Sequence, residues 1–174
     1  MAGQTIDQIF ENNAAVREEL RAFVGSITPE DEFRVPEGEA WSAAHILEHL
    51  SLTEEGMGKI CSMLLRGAAR KAQAEPELSE KFVNSVTDFQ AVKVKTPPTG
   101  EPTGTIAIAE SLNKMDANRS KLNEKRHRFI ENDPAAATFP HPYLGDMTAL
   151  EWLALIGYHE KRHLEQMKRV LGRM

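Results

Sequence analysis

The segment from Thr148 to Leu171 constrains the fold most, because its apolar residues recur at the three- and four-residue spacing of an α-helix. Thr148 and Glu151 have the spacing of a capping box, in which both side chains bind the first backbone N–H groups. Gly172 suits the position just after a helix end. We therefore predict a helix here with one buried stripe. That stripe contains Trp152, Leu155, Ile156, His159, His163, Met167, Val170 and Leu171.

Three further segments show the same helical periodicity, and almost no segment alternates as a β-strand does. They run from about Thr5 to Val24, from about Ser42 to Lys71 and from about Thr105 to Asn132. Thr5 and Gln8 have the spacing of a second capping box. Four helices of this length predict an all-α fold, a four-helix bundle.

The second and third helices are joined by residues 72–104, a connection much longer than a turn. It ends in TPPTGEPTGT, which cannot lie inside a helix. Its stretch VNSVTDFQAVKVKT suits either a short helix or an extended run. Such connections are usually functional or cross between the ends of a bundle, so we predict one long crossover within a single domain, 1–174. A loop with two prolines, FPHPYLGDM, precedes the fourth helix.

Composition excludes several classes of protein. The chain has 174 residues, 41% hydrophobic and 27% charged, and a formal net charge of −5 with the two signs interleaved. This composition is typical of a globular protein. The sequence has no basic stripe of the kind that binds nucleic acid or an anionic membrane. The N-terminus lacks the pattern of a secretory signal, and the single cysteine, Cys61, cannot form an internal disulfide. These features predict a cytoplasmic protein whose partner is a small molecule.

Two histidines on the apolar stripe carry the strongest chemical signal. His159 and His163 are four residues apart, so they lie one turn apart on one helix face. Two imidazoles at this spacing can bind one metal ion. The spacing alone is also common in histidines that lie half-exposed on an amphipathic helix. The expected burial of both side chains favours a metal site, because an unpaired imidazole in a core lowers the stability of the fold by about 1–3 kcal/mol.

A third ligand should come from a facing helix, and His49 lies on or beside the apolar seam of the second helix. The alternative for His49 is a core histidine bonded to a backbone carbonyl. His45, one turn earlier, could substitute for it or assist. His127 lies in the basic run KRHR and should be solvated. His141, between two prolines, should be a loop residue that could line the mouth of a pocket.

These segments resemble the DinB/YfiT-like superfamily of bacterial four-helix-bundle proteins. The resemblance lies in WSAAHILEHL and in TALEWLALIGYHEKRHLEQ: Trp41-Ser42, His49-Leu50, the turn from Pro142 to Thr148, and His159, His163 and Gln166. Position by position, it implies that His49, His159 and His163 are metal ligands. His45 departs from expectation, because a capping carboxylate or amide would suit the third position after Ser42. Relatives are often homodimers, although no pattern here identifies an interface.

Three neutral imidazoles leave at least one coordination position open, which is typical of catalytic rather than structural metal sites. Such an ion can acidify water, polarise a carbonyl or hold a thiol as thiolate. Zinc and nickel are the favoured ions, and iron, copper and manganese are alternatives. Metal affinity should fall below about pH 6.5, where free histidine takes up a proton.

Few other residues can be assigned to chemistry. Gln166, one turn beyond His163, could hold a ligand in place, or it could be a surface amide. Asn13 and Arg119 interrupt apolar seams, and we expect both to be exposed rather than to line a cavity. Cys61 lies too far along its helix from His49 to be a ligand and should be a core residue. No carboxylate is clearly directed at the metal, so no general base is identified.

Three readings of function remain open from the sequence. Known relatives favour a metal-dependent enzyme that transfers a low-molecular-weight thiol to a small electrophile, and a metal-dependent hydrolase is the nearest alternative. The second reading is a metal-binding or stress-response protein without turnover. In the third, the histidines only pack inside a structural bundle.

Overall fold

The computed structural model describes residues 2–66, 76–90, 92 and 94–173. Its helices are α1 (Ile6–Val24), α2 (Pro29–Glu32), α3 (Ala43–Leu64), α4 (Glu80–Gln90), α5 (Ile108–Asn123), α6 (Arg126–Glu131) and α7 (Ala149–Val170). One turn of 3-10 helix, Pro98–Gly100, precedes α5. The strands β1 (Thr138–His141) and β2 (Gly145–Thr148) form an antiparallel hairpin.

The four long helices α1, α3, α5 and α7 form the bundle. Helix α3 packs against both α5 and α7, and α1 packs against α7. The four-helix bundle with a long crossover between its second and third members, predicted from the sequence, is therefore confirmed. No helix among the described residues is both long enough and apolar enough to cross a membrane.

Local capping explains where these helices begin. Thr5 with Gln8 and Thr148 with Glu151 form the two predicted capping boxes. Helix α3 has a third box: the backbone N–H of Ser42 donates to Nδ1 of His45 at 3.3 Å. An imidazole thus takes the role for which a carboxylate or amide was expected.

Helix ends depart from the sequence prediction at two places. Helix α3 ends at Leu64, and the predicted end near Lys71 falls outside the described residues. The single helix predicted over 105–132 is divided into α5 and α6 at Glu124–Lys125. The break turns α6 so that Phe129, only 1% exposed, packs edge-on against Phe10.

Two connecting segments form regular secondary structure within the described residues. The stretch that suited a helix or an extended run forms α4 as far as Gln90; Ala91 and Lys93 lie outside the described residues. The predicted loop FPHPYLGDM instead forms most of the β1–β2 hairpin, with Phe139 paired to Met147. Its prolines hid the strand pattern, yet proline is tolerated in an edge strand.

The centre of the bundle holds a charged cluster that the sequence did not predict. Each long helix contributes one residue: Arg17, Glu54, Arg119 and Glu160. Arg17 binds Glu160 and Glu54, both at 2.6 Å, and Arg119 binds the same two carboxylates at 2.8 and 2.9 Å. The predicted exposure of Arg119 was wrong, because these two carboxylates compensate its burial.

Asn13 is also buried, 1% exposed, which overturns its predicted exposure. Its side-chain amide donates to the carbonyl of Leu153 on α7 at 2.9 Å. A Cβ on Gly157 would lie 2.1 Å from the amide oxygen of Asn13. Glycine at this position therefore allows α1 to approach α7 closely.

Candidate metal centre

Three histidines converge at one place between α3 and α7. Helix α3 supplies His49, and α7 supplies His159 and His163 from successive turns of one face. One ligand nitrogen from each lies within 4.8 Å of the others, and this is the one such group of histidine, cysteine or carboxylate side chains found in the described parts of the chain. The structure thus brings together the three residues that the sequence singled out.

The outer ring nitrogens of two of these histidines are held by hydrogen bonds. Nδ1 of His49 lies 2.7 Å from the carbonyl oxygen of Gly100, in the 3-10 turn of the long crossover. Nδ1 of His163 lies 2.7 Å from Oε1 of Gln166. Because both oxygens can only accept, each Nδ1 carries the proton and each Nε2 keeps a free lone pair.

These lone pairs meet in a way that favours a cation. Nε2 of His159 lies 3.2 Å from Nε2 of His49 and 3.2 Å from Nε2 of His163. A neutral His159 can donate at most one N–H to its neighbours. At least one of the Nε2 lone pairs of His49 and His163 therefore receives no hydrogen bond within this group. A tetrahedral ion with metal–nitrogen bonds of about 2.0 Å would hold its ligands about 3.3 Å apart. The three residues therefore fit a divalent ion.

Trp41 and Gly100 fix the ring of His49 in place. The indole of Trp41 lies 5.0 Å from the His49 ring and 6.3 Å from the His163 ring. A Cβ on Gly100 would lie 3.4 Å from Cε1 of His49 and 3.1 Å from a methyl group of Thr53. No sequence pattern links Gly100 to the site, because the contact depends on where the crossover passes.

Burial keeps the three imidazoles neutral. It lowers the pKa of His49, lowers that of His159 well below its ordinary value, and lowers that of His163 to about 3. The positive charge of Arg162 lowers all three pKa values further. Protons should therefore compete with a metal only at lower pH than the value of about 6.5 expected from free histidine.

The other predicted candidates lie around or away from this group. His45 caps α3 through Ser42 and packs against Gly104, so it is not one of the three converging side chains. His141 ends β1, half-buried, with its ring 5.4 Å from that of Trp152. His127 is exposed, as predicted. Cys61 is a fully buried core residue, also as predicted.

Comparisons with known proteins agree with this architecture. The chain is 30% identical over 136 residues to the uncharacterized protein YuaE of Bacillus subtilis (strain 168), which covers 78% of this chain and 80% of YuaE. The crystal structure of TT2238, a four-helix bundle protein, matches with a TM-score of 0.63 at 24% identity over 95% of this chain and 99% of TT2238, and this likeness concerns the fold alone. The family model of the DinB superfamily matches residues 13–167. The resemblance seen in the motifs is thus confirmed, and the chain belongs to the DinB superfamily.

Proposed function

We propose that this protein binds one divalent metal ion through His49, His159 and His163 and uses it in an enzymatic reaction on a small molecule. One observation carries the proposal: the three Nε2 atoms converge, and two of the rings donate from Nδ1 to the oxygens of Gly100 and Gln166. Neutral ligands held in this way favour metal binding without a change in the fold.

An ion bound by three neutral imidazoles supplies a Lewis acid with an open position, suited to lowering the pKa of a thiol or of water. Zinc and nickel suit this donor set best. The chain's own contribution is to orient the three rings, keep them unprotonated, and surround them with Trp41 and the crossover.

We propose thiol transfer to a small electrophile as the reaction. Among the described residues no carboxylate joins the three histidines as a further ligand, so we assign no general base to the site. A thiol needs such a base less than water does, because its ordinary pKa is far lower. In the reaction the thiol would lose its proton to solvent, a C–S bond would form, and the leaving group would depart with its bonding electron pair. A metal-dependent hydrolase and a non-catalytic metal-binding protein remain the alternatives.

Metal content tests the site. Elemental mass spectrometry on untagged protein should find close to one ion per chain, and none in the variant His49→Ala/His159→Ala/His163→Ala. His127→Ala is the matched control, because His127 is exposed and distant from the group, and it should keep its metal. Equal metal content in the triple variant, or no uptake of supplied zinc or nickel by the wild type, would rule out the site.

Cobalt substitution tests the reaction class. Small thiols should change the visible spectrum of the cobalt-loaded wild type, and turnover of a model electrophile should depend on both thiol and metal. Metal-dependent ester or amide cleavage without any thiol effect would support the hydrolase instead. Metal binding with neither activity would support the non-catalytic protein.

A further inference from the structure

Arg162 lies on α7 between two of the three converging histidines. Its side chain is half-buried. One guanidinium N–H donates to the carbonyl of Val92 at 2.8 Å, and the guanidinium carbon lies 5.6 Å from the centre of the Phe89 ring. These two contacts hold the cation at one position beside the histidines.

This arginine has no carboxylate partner among the residues that the structure describes. Arg17 and Arg119, the buried arginines of the bundle centre, each bind Glu54 and Glu160. Within the described ranges Arg162 instead donates to one neutral carbonyl, which leaves most of its five N–H donors for another acceptor. A half-buried guanidinium of this kind favours a carboxylate or phosphate ligand.

The charge of Arg162 also opposes metal binding. It lies next to His163 in the chain and three residues from His159 on the same helix, whose two imidazoles converge with that of His49. A cation at this position should repel a divalent ion held by the same side chains. An anion between the ion and Arg162 would be attracted by both and would offset that repulsion.

Aromatic rings form a wall beside Arg162. Phe89 stacks on Tyr143 with ring centres 5.4 Å apart, and His141 meets Phe89 edge-on at 5.9 Å. Tyr143 is 46% exposed, and its hydroxyl donates to the carbonyl of Lys95. This wall offers apolar surface for the carbon skeleton of a small ligand next to the charge that would bind its anionic end.

We propose that Arg162 is a specificity-determining residue that binds a carboxylate on the thiol substrate. The sulfur of this substrate lies toward the three histidines, and its carbon skeleton lies against Phe89. The inference rests on the proposed function, because it assumes that a ligand reaches the metal. It goes beyond that function by naming the chemical class of the substrate. Substrates without an anionic group should bind more weakly.

The test uses cobalt-loaded protein and a series of thiols from mercaptoacetate to 6-mercaptohexanoate, each compared with its neutral primary amide. Binding is followed by the visible cobalt spectrum, which does not require turnover. The best mercaptocarboxylate should bind about tenfold or more tightly than its amide, because its carboxylate accepts a charged hydrogen bond that the neutral amide does not form. Added sodium chloride should reduce this preference by screening.

Arg162→Gln should abolish the preference, and it should not reduce the metal content or the binding of the amides, because it only removes a charge that repels the ion. Lys161→Gln is the matched control: it removes a positive charge from the adjacent position, but Lys161 already pairs with Glu19 at 2.7 Å, and the preference should persist. The salt dependence in the wild type gives a second measurement that does not rely on a variant.

The outcomes separate the two proposals. If amides and carboxylates bind equally in the wild type, or if Arg162→Gln keeps the preference, the role of Arg162 is overturned while metal-dependent thiol binding stands. If no thiol of either kind changes the cobalt spectrum, thiol transfer is wrong and the inference falls with it.

Discussion

Nδ1 of His49 lies 2.7 Å from the carbonyl oxygen of Gly100, although the two residues are 51 positions apart in the chain. His49 lies in α3, and Gly100 ends the 3-10 turn of the crossover between α3 and α5. The crossover therefore does more than connect two helices, since it orients one of the three converging imidazoles.

Gly100→Ala should weaken metal binding. The added Cβ would lie 3.1 Å from a methyl group of Thr53 and 3.4 Å from the His49 ring, so the carbonyl that orients His49 must shift. Loss of such an outer hydrogen bond typically lowers metal affinity by about tenfold or more. Competition with a chelator measures this. Gly58→Ala, where a Cβ meets nothing within 4 Å, should leave affinity unchanged.

Gln166→Ala should lower metal affinity by about 10–100-fold, because His163 loses the acceptor that holds Nδ1 protonated. Gln166→Glu should restore most of the affinity, since a carboxylate can accept the same hydrogen bond. Both constants can be obtained by chelator competition. Equal affinity in wild type and Gln166→Ala would show that His163 does not depend on this contact.

The metal-free protein should lose stability as the pH falls below about 6.5. Burial lowers the folded-state pKa of His49, His159 and His163, the last to about 3, whereas unfolded histidine titrates near 6.5. Between these values the unfolded chain binds more protons, so stability rises with pH by at most about 1.4 kcal/mol per unit for each histidine.

Urea unfolding of metal-free protein at about pH 7 and about pH 5.5 measures this slope. In His163→Gln the slope should be smaller by about 1 kcal/mol per pH unit, because one of the three groups no longer titrates. A slope that does not change would mean that His163 is protonated in the folded protein as readily as in the unfolded chain.

Glu160→Gln should destabilise the fold by about 3–5 kcal/mol, because it leaves Arg17 and Arg119 short of one carboxylate inside the bundle. Glu160 is 2% exposed. Glu19→Gln is the control: that exposed carboxylate pairs with Lys161 at the surface, and its loss should cost less than about 1 kcal/mol. Urea unfolding near neutral pH gives the free energy of unfolding of each variant. Equal losses of stability in Glu160→Gln and Glu19→Gln would contradict a tightly coupled buried cluster.

Cys61 should not react in the native protein. It is fully buried, and burial raises the pKa of its thiol to about 12. Ellman's reagent should therefore detect one thiol after unfolding in urea and almost none before. Rapid reaction of the native protein would show that Cys61 is accessible. The expected result requires the thiol in the proposed transfer to come from another molecule.

Local sequence information was sufficient for the positions of the four long helices, although not for all their ends, and for the choice of histidines. Capping pairs such as Thr148 with Glu151 act within one turn, so they can be read without knowing the fold. His159 and His163 lie on the apolar stripe, and His49 lies on or beside its own seam. Helical periodicity alone therefore places all three toward the interior of a bundle.

Tertiary structure decided the features that depend on distant contacts. Arg119 interrupts an apolar seam, and its burial is compensated by Glu54 and Glu160 on two other helices and by the carbonyl of Asn13. The β1–β2 hairpin, the support of His49 by Gly100 and the contacts of Arg162 with Val92 and Phe89 were likewise absent from the sequence pattern. Periodicity records which face of a helix is apolar, whereas the energy of a buried charge depends on partners that folding brings together.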